Sequence, residues 1–329
     1  MHCIASAAIA GIGIAGLLGC DGPQSALDPA GRAAEQIARL FWKMAAGAAL
    51  VWLAMAGLAV YAMRGARTAK EGRLAKLLII GGGAIVPTAI LTALLVYGLA
   101  MMPDLLARAP ADSLKIEVTG EQWWWRVRYR PPDGGEVVLA NEIRLPLGEM
   151  VEFHLESSDV IHSFWIPALG GKMDMIPGRT TRLVLEATRP GRFRGVCAEY
   201  CGTAHALMAF SVVVMQKEEF NRWLDDQRLP ASEPAEIVST RGRDLFFTNG
   251  CSACHTIRGT HADGVVGPDL THVGSRLSIG AGILPNDSES FHRWIERTDR
   301  LKPGVQMPHF GMLPPDELRA IADYLESLK

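Results

Sequence analysis

The sequence predicts a membrane-anchored multidomain chain: a transmembrane α-helical hairpin, a β-sandwich or barrel, and a helical domain. Three observations carry this. Apolar residues crowd into the first hundred positions of a 329-residue chain that is 49% hydrophobic overall. From Leu114 to Met215, short β-branched and aromatic runs alternate with turn residues. Beyond a stretch rich in Pro, Ser and charge, helical patterns return. Such a length suits about two or three domains.

The hairpin occupies residues 41–102. Phe41 to Met63 carries a single charge, Lys43, and Leu77 to Met102 carries none. Each run is long enough to cross a hydrocarbon core of about 30 Å as a helix. Pro87 and Gly81-Gly82-Gly83 would disturb a soluble helix more than one packed in a membrane. A buried soluble hairpin is the competing reading, disfavoured by segments longer than ordinary globular helices. The connecting loop sets Arg64, Arg67, Lys70, Arg73 and Lys76 against Glu71. Its basic excess places it inside, and the N-terminus and everything after about residue 103 outside. With Lys+Arg 33 against Asp+Glu 35, there is no global basic field of the kind that holds nucleic acid.

Residues 1–20 form a third apolar run, expected to be a signal peptide. Its "LLGC" resembles the lipobox of bacterial lipoproteins, which would make Cys20 the acylated residue. The run has no Lys or Arg before its apolar stretch, so a plain signal peptide or an unprocessed tail stands as the alternative.

The outer region reads as strands in "LKIEV", "WWWRVRYR", "EVVLA", "MVEFHLES", "IHSFWI", "TRLVLEA" and "FSVVVM". Many short strands at such spacing argue for a sandwich or barrel. Within "GVCAEYCGTAHALMAF", Cys197, Cys201, His205 and Met208 recur at steps of four, four and three. A disulfide between the two cysteines would close a very small loop and restrict the unfolded chain little, and it would leave His205 and Met208 unexplained. Structural zinc seldom recruits methionine, whereas thiolate, imidazole and thioether together suit copper in electron transfer.

"CAEYCGTAHALM", with "SSDVIHSFWIPALGGKMDMIPGRT" upstream, resembles subunit II of the haem-copper cytochrome c oxidases, from the hairpin to about residue 215. The resemblance implies a cupredoxin-like domain over residues 103–227 that holds the dinuclear copper A centre. Its implied ligands are His162 and His205, bridging Cys197 and Cys201, Met208, and the backbone carbonyl of Glu199. Without the resemblance, a lone His162 on an apolar strand would read as a core histidine. The Glu199 side chain is implied at a magnesium site shared with subunit I, against the plain reading of a solvated loop glutamate. In "EQWWWRVRY" three tryptophans on one strand would alternate faces. The family's electron-input tryptophan falls on Trp123; an aromatic sheet face suits Trp124 or Trp125.

Residues 228–236, with "RLPASEPAE", are a linker candidate, and residues 237–329 a further domain. There Cys251-x-x-Cys254-His255 is the c-type haem attachment pattern, with both sulfurs bonded to the porphyrin and the histidine on iron. A thioredoxin-like CxxC would expect a strand before it and has no need of His255. "GPDLTHVGSR" and "VQMPHF" resemble small bacterial class I cytochromes c, an all-α fold, with Met307 as second axial ligand and Met312 as runner-up. With Cys3 and Cys20 in the N-terminal run, two cysteines at copper and two at haem, none remains for a structural disulfide.

The expected function is electron input to a respiratory cytochrome c oxidase. The resemblance implies subunit I, with haem a and copper B, and subunit III as partners. An external cytochrome c or bc complex would be the donor, and a bacterial inner membrane the location, with both metal domains periplasmic. The two membrane helices contain no histidine, so the oxygen-reducing site must lie in a partner. Two other readings use the same parts: the copper subunit of a nitric oxide reductase, and a tethered electron carrier or copper-delivery protein.

Overall fold

The computed structural model describes residues 21–64, 71–232 and 237–329. The expected signal segment with Cys3 and Cys20 lies outside the described residues, as do Arg67 and Lys70. Gln36–Arg108 forms one compact unit, and the residues on either side of it form a second.

Most of α1 (Arg32–Met63) lies in the first unit and carries the first apolar run, and its helix begins well ahead of that run. After a short α2 (Glu71–Lys76), the chain winds through a π-helical stretch, Leu77–Ile85, into α3 (Val86–Leu105). The Gly81 carbonyl there accepts the Val86 N–H, a span of five residues. Both long helices are apolar enough to cross a membrane, with mean hydropathies of 1.8 and 2.2 over their most apolar windows. Leu50, Trp52 and Leu91 turn outward from this unit, as a helix apolar on all sides does when lipid is its solvent. The lone cation of the first run is accommodated: Lys43 Nζ donates to Tyr97 Oη at 2.9 Å and lies over the same ring.

The second unit opens with a sandwich. One sheet runs β3-β2-β1-β5-β8 and the other β4-β10-β9-β6-β7. The first comprises β1 (Lys115–Glu121), β2 (Trp124–Arg130), β3 (Val137–Ala140), β5 (Met150–Ser157) and β8 (Thr181–Glu186). The second comprises β4 (Glu142–Pro146), β6 (His162–Trp165), β7 (Met173–Met175), β9 (Gly191–Cys197) and β10 (Ala209–Met215). Alternate residues point inward, and the centre is aromatic. Trp125 meets Phe164 and Phe210 edge to face, with Phe164 stacked on Phe210. A Cβ at Gly195 would come within 2.0 Å of the Phe210 ring, so glycine in β9 is what lets that ring lie flat. α4 (Lys217–Arg228) buries Phe220 and Leu224 against the sandwich.

One expectation changes here. Trp123 does not belong to a strand: it sits with Gln122 in the turn between β1 and β2, so only Trp124 and Trp125 alternate across the sheet. Trp125 enters the core and Trp124 faces the other way, beneath the Arg126 guanidinium.

The C-terminal part has its own core, built on α5 (Ile237–Thr248), α6 (Ser288–Leu301) and α7 (Pro315–Ser327). A Cβ at Gly242 would lie 1.9 Å from the Ala320 carbonyl oxygen, so the crossing of α5 and α7 demands glycine. Asp287 caps α6, accepting the Ser290 N–H at 2.7 Å. Two small ribbons accompany the helices, β11 (Thr256–Ile257) with β12 (Ala262–Asp263) and β13 (Ser278–Ile279) with β14 (Leu284–Pro285).

This helical part is bonded to the sandwich rather than hung from it. Buried Glu142 accepts the Leu277 N–H at 2.8 Å, and the Ala209 N–H donates to the Ala281 carbonyl at 3.2 Å. The first half of the expected linker is also held. Arg258 donates to the Gln227 and Arg228 carbonyls, His272 Nε2 lies 3.0 Å from the Leu229 carbonyl, and the Ala231 N–H donates to Arg258 O. Residues 233–236 lie outside the described residues.

Candidate metal and haem sites

The copper ligands expected from the sequence converge at one end of the sandwich. His162 opens β6, Cys197 closes β9, and the loop from Ala198 to Met208 returns to β10. That loop is fixed at both ends, by Ala198 N–H to Ser163 O at 2.9 Å and by Cys197 N–H to Met208 O at 3.0 Å. The Cys197 and Cys201 sulfurs stand 3.8 Å apart, nonbonded, and both are free thiols. His162 Nδ1 is 3.8 Å from Cys197 Sγ, and His205 Nδ1 is 3.4 Å from Cys201 Sγ. Met208 Sδ lies 3.8 Å from Cys201 Sγ, and the Glu199 carbonyl oxygen 3.2 Å from Cys197 Sγ. Two sulfurs at the centre, an imidazole beside each, and a thioether and a carbonyl at the flanks form a soft donor set. It fits a pair of copper ions.

The electrostatics prepare the thiols for metal. The contact with Cys201 and, after it, that with His162 hold the Cys197 thiol far below its usual value against the opposing effect of burial; the same Cys197 contact pushes Cys201 up. Burial opposes charge on His162, yet hydrogen bonds to Cys197 and Asp159 hold its pKa above normal. Copper must therefore displace protons to bind.

A layer behind the ligands was not singled out by sequence reasoning. Asp159 Oδ1 lies 2.8 Å from His162 Nε2, and its other oxygen accepts the Gln122 N–H at 2.7 Å. Such a partner orients a ligating imidazole. The Cys201 carbonyl accepts two bonds, from Gln122 Nε2 at 2.7 Å and from Trp123 Nε1 at 2.9 Å. Glycine at 120 makes room for the imidazole, since a Cβ there would fall 2.8 Å from the His162 ring. The "SSDVIH" spacing places Asp159 three residues ahead of His162, the one sequence signal that pointed to it. The Glu199 side chain is exposed.

In the helical part, Cys251, Cys254 and His255 border a cavity whose wall includes Met307. Met312, the runner-up ligand, is 71% exposed and does not line it. His255 Nδ1 lies 2.8 Å from the Pro268 carbonyl, which fixes that nitrogen as the donor and leaves Nε2 to bind iron. Burial lowers the His255 pKa, which favours the neutral, ligating imidazole. A Cβ at Gly267 would lie 2.5 Å from the His255 ring. Leu270, Ile279, Phe291 and Ile295 supply an apolar lining, and Arg276 brings a buried Nε with no hydrogen-bond partner. An apolar slot with two thiols, an oriented imidazole, a thioether and an orphaned guanidinium nitrogen fits a c-type haem. Gln122, Trp123 and Trp124 of the sandwich close its other side.

A cupredoxin-like sandwich with a soft donor set around two free thiols, followed by a helical CxxCH domain and preceded by two apolar helices, defines the class of protein. Residues 133–216 match the family described as cytochrome c oxidase subunit II, periplasmic domain, and residues 239–329 match cytochrome c. The chain is 39% identical over 218 residues to cytochrome c oxidase subunit 2 of Alkalihalophilus pseudofirmus, covering 66% of this chain and 62% of that one. It is 32% identical over 236 residues to the Bacillus subtilis protein of the same name, covering 69% and 65%. A crystal structure of the periplasmic domain of subunit II from Bradyrhizobium japonicum shares 32% identity, covering 37% of this chain and 97% of that one, with a TM-score of 0.34. The sandwich thus matches the cytochrome c oxidase subunit II family, and the helical part that follows it matches cytochrome c. The chain spans less than two thirds of the length of these two curated relatives.

Proposed function

We propose that the chain is the electron-input subunit of a respiratory cytochrome c oxidase, taking electrons at a haem c, passing them to copper A, and delivering them to an oxygen-reducing centre in subunit I. Bound haem and copper would supply the one-electron carriers. The chain's own part is to hold them apart and join them through protein. Cys251 and Cys254 would anchor the haem, with His255 and Met307 on its iron. Cys197 and Cys201 would bridge the coppers, with His162, His205, Met208 and the Glu199 carbonyl completing the set. Cys197 and Cys201, held side by side, would let the metal pair share charge, so that a one-electron change would alter each bond little.

The observation that carries the reading is Trp123. Its indole N–H bonds the Cys201 carbonyl, its ring lines the haem cavity, and its far edge lies against Gly304, three residues before Met307. One side chain therefore connects the surroundings of both sites. The hydrogen bonds between the sandwich and the helical part support transfer inside one fixed body, in place of a cytochrome tethered by a loose linker.

The remaining assignments belong to the same reading. The exposed Glu199 side chain would reach a magnesium ion shared with subunit I. Subunit III, membrane lipid and an external cytochrome c or bc complex complete the partners. Purification from the source membrane, followed by assay with reduced donor, is expected to give oxygen uptake with stoichiometric donor oxidation. Consumption of nitric oxide without oxygen uptake would favour the reductase reading. A chain that purifies without a haem-copper partner would favour the tethered carrier.

Orientation follows from Arg64, Arg73 and Lys76 around the loop, with Arg67 and Lys70. Both metal domains would face the periplasm of a bacterial inner membrane. Protease added to intact spheroplasts is expected to cleave in the domains after residue 103 and to spare residues 64–76. Cleavage of the loop with the domains intact would reverse the topology.

A further inference from the structure

Haem brings two propionate carboxylates into whatever cavity receives it, and buried carboxylates need cations or hydrogen-bond donors. Among the described residues, no aspartate or glutamate lines the haem cavity, while two cations do, Arg276 and Lys302. Arg276 already bonds the Asp269 carbonyl. Lys302 is the less expected of the two. It follows α6, is 2% exposed, and its Nζ donates to the Gly280 carbonyl at 3.0 Å. Lysine is seldom fully buried unless paired, and a methionine would fill the same apolar volume without a charge to desolvate.

The position of Lys302 is also specific. Its acceptor, Gly280, is followed by Ala281, whose carbonyl receives the Ala209 N–H of the sandwich. Two residues beyond Lys302, Gly304 lies against the Trp123 ring. Lys302 thus stands where the haem cavity meets the copper domain.

We propose that Lys302 is the cation that pairs with one haem propionate on the side of the cavity facing the copper domain, holding that carboxylate ionised beside Trp123. The proposal rests on the reading of residues 237–329 as a haem c domain. In the protein alone, burial pushes the Lys302 amine down to about 7, with the Cys201 sulfur acting in the opposite sense. A carboxylate beside it reverses that balance and keeps the ammonium charged. The other ionisable groups around the cavity are few. Cys251 and Cys254 become thioethers on haem attachment, His255 becomes a ligand, and Arg276 stays charged throughout.

The test is spectroelectrochemical titration of haem c in the intact, membrane-purified protein between about pH 5 and pH 9, for wild type, Lys302→Met and Lys302→Arg. Pairing predicts a wild-type midpoint that stays level through neutral pH. Lys302→Met is expected to lower the midpoint, because a lost cation favours ferric iron, and to make it pH-dependent as the unpaired propionate titrates. Lys302→Arg is expected to restore the wild-type midpoint and profile. A wild-type midpoint that bends near pH 7 would reveal an unpaired amine and overturn the proposal. So would Lys302→Met with an unchanged midpoint, or Lys302→Arg behaving worse than Lys302→Met, the pattern of an apolar packing role. If Lys302→Met fails to mature, the wild-type profile and Lys302→Arg decide the question. A wild-type chain without covalent haem would overturn the domain reading and the proposal together, whereas haem with an unmoved midpoint overturns the pairing alone.

Discussion

Replacing Cys201 by serine is expected to abolish the delocalised copper pair and to leave the haem c spectrum intact. The serine hydroxyl stays protonated at neutral pH and cannot bridge two metals as a thiolate does. Cys201 also sits at the centre of the donor set, within 3.8 Å of Cys197 Sγ, His205 Nδ1 and Met208 Sδ. Loss of a partner behind a metal ligand costs about 10- to 100-fold in affinity or activity, and removal of a bridging ligand itself should exceed about 100-fold. Of the residues proposed to hold haem, Cys251 and Met307 pack against a separate core around Phe246, Ile295 and Tyr324, and the two proposed sites share no donor. Electron paramagnetic resonance and metal analysis on the purified variant check both halves. A retained mixed-valence signal, or joint loss of copper and haem, would contradict the assignment.

How much of this was legible in the sequence depends on how local each feature is. Cys197, Cys201, His205 and Met208 lie within twelve residues on one loop, so their spacing alone brought them together. CxxCH is likewise a contiguous device. Asp159 stands only three residues before His162, but Gln122 meets Asp159 and the Cys201 carbonyl only because β1, β6 and the copper loop converge, and no local pattern reports such a convergence. β9 alternates Arg192 and Arg194 with Phe193 and the small residue Gly195. Its apolar signal is too weak to announce a strand, although its inward face is buried. β7 is only three residues long. "WWW" reads as one strand because aromatic residues favour sheets, yet the turn between β1 and β2 claims the first of the three. Arg276 and Lys302 were silent for a further reason: a charged residue in a sequence is presumed solvated, and only the three-dimensional cavity shows that these two are buried.

That displacement of Trp123 into the turn sharpens the other large expected effect. Trp123→Phe should slow electron transfer from haem c to copper A by at least about tenfold, equivalent to about 1.4 kcal/mol in the barrier, without changing either optical spectrum. Phenylalanine keeps an aromatic ring in the turn but loses the N–H that reaches the Cys201 carbonyl at 2.9 Å. It also shortens the indole edge that lies against Gly304. The other two tryptophans are internal controls with different physics. Trp124 lies under Arg126 and does not bond the copper loop, so Trp124→Phe should leave the rate near wild type. Trp125 is fully buried against Phe164 and Phe210, so Trp125→Phe should lower thermal stability before it alters the rate. Flash reduction of haem c, followed at the separate haem and copper absorption bands, measures the step directly. Because the sandwich and the helical part are joined by Glu142, Arg258 and Ala209, the wild-type rate should be independent of protein concentration and insensitive to moderate salt. A rate that rose with protein concentration would place the electron's source in a neighbouring molecule. An unchanged rate in Trp123→Phe, with a fall in Trp124→Phe, would move the input role to the next residue. If none of the three changed it, the segment would serve the fold alone.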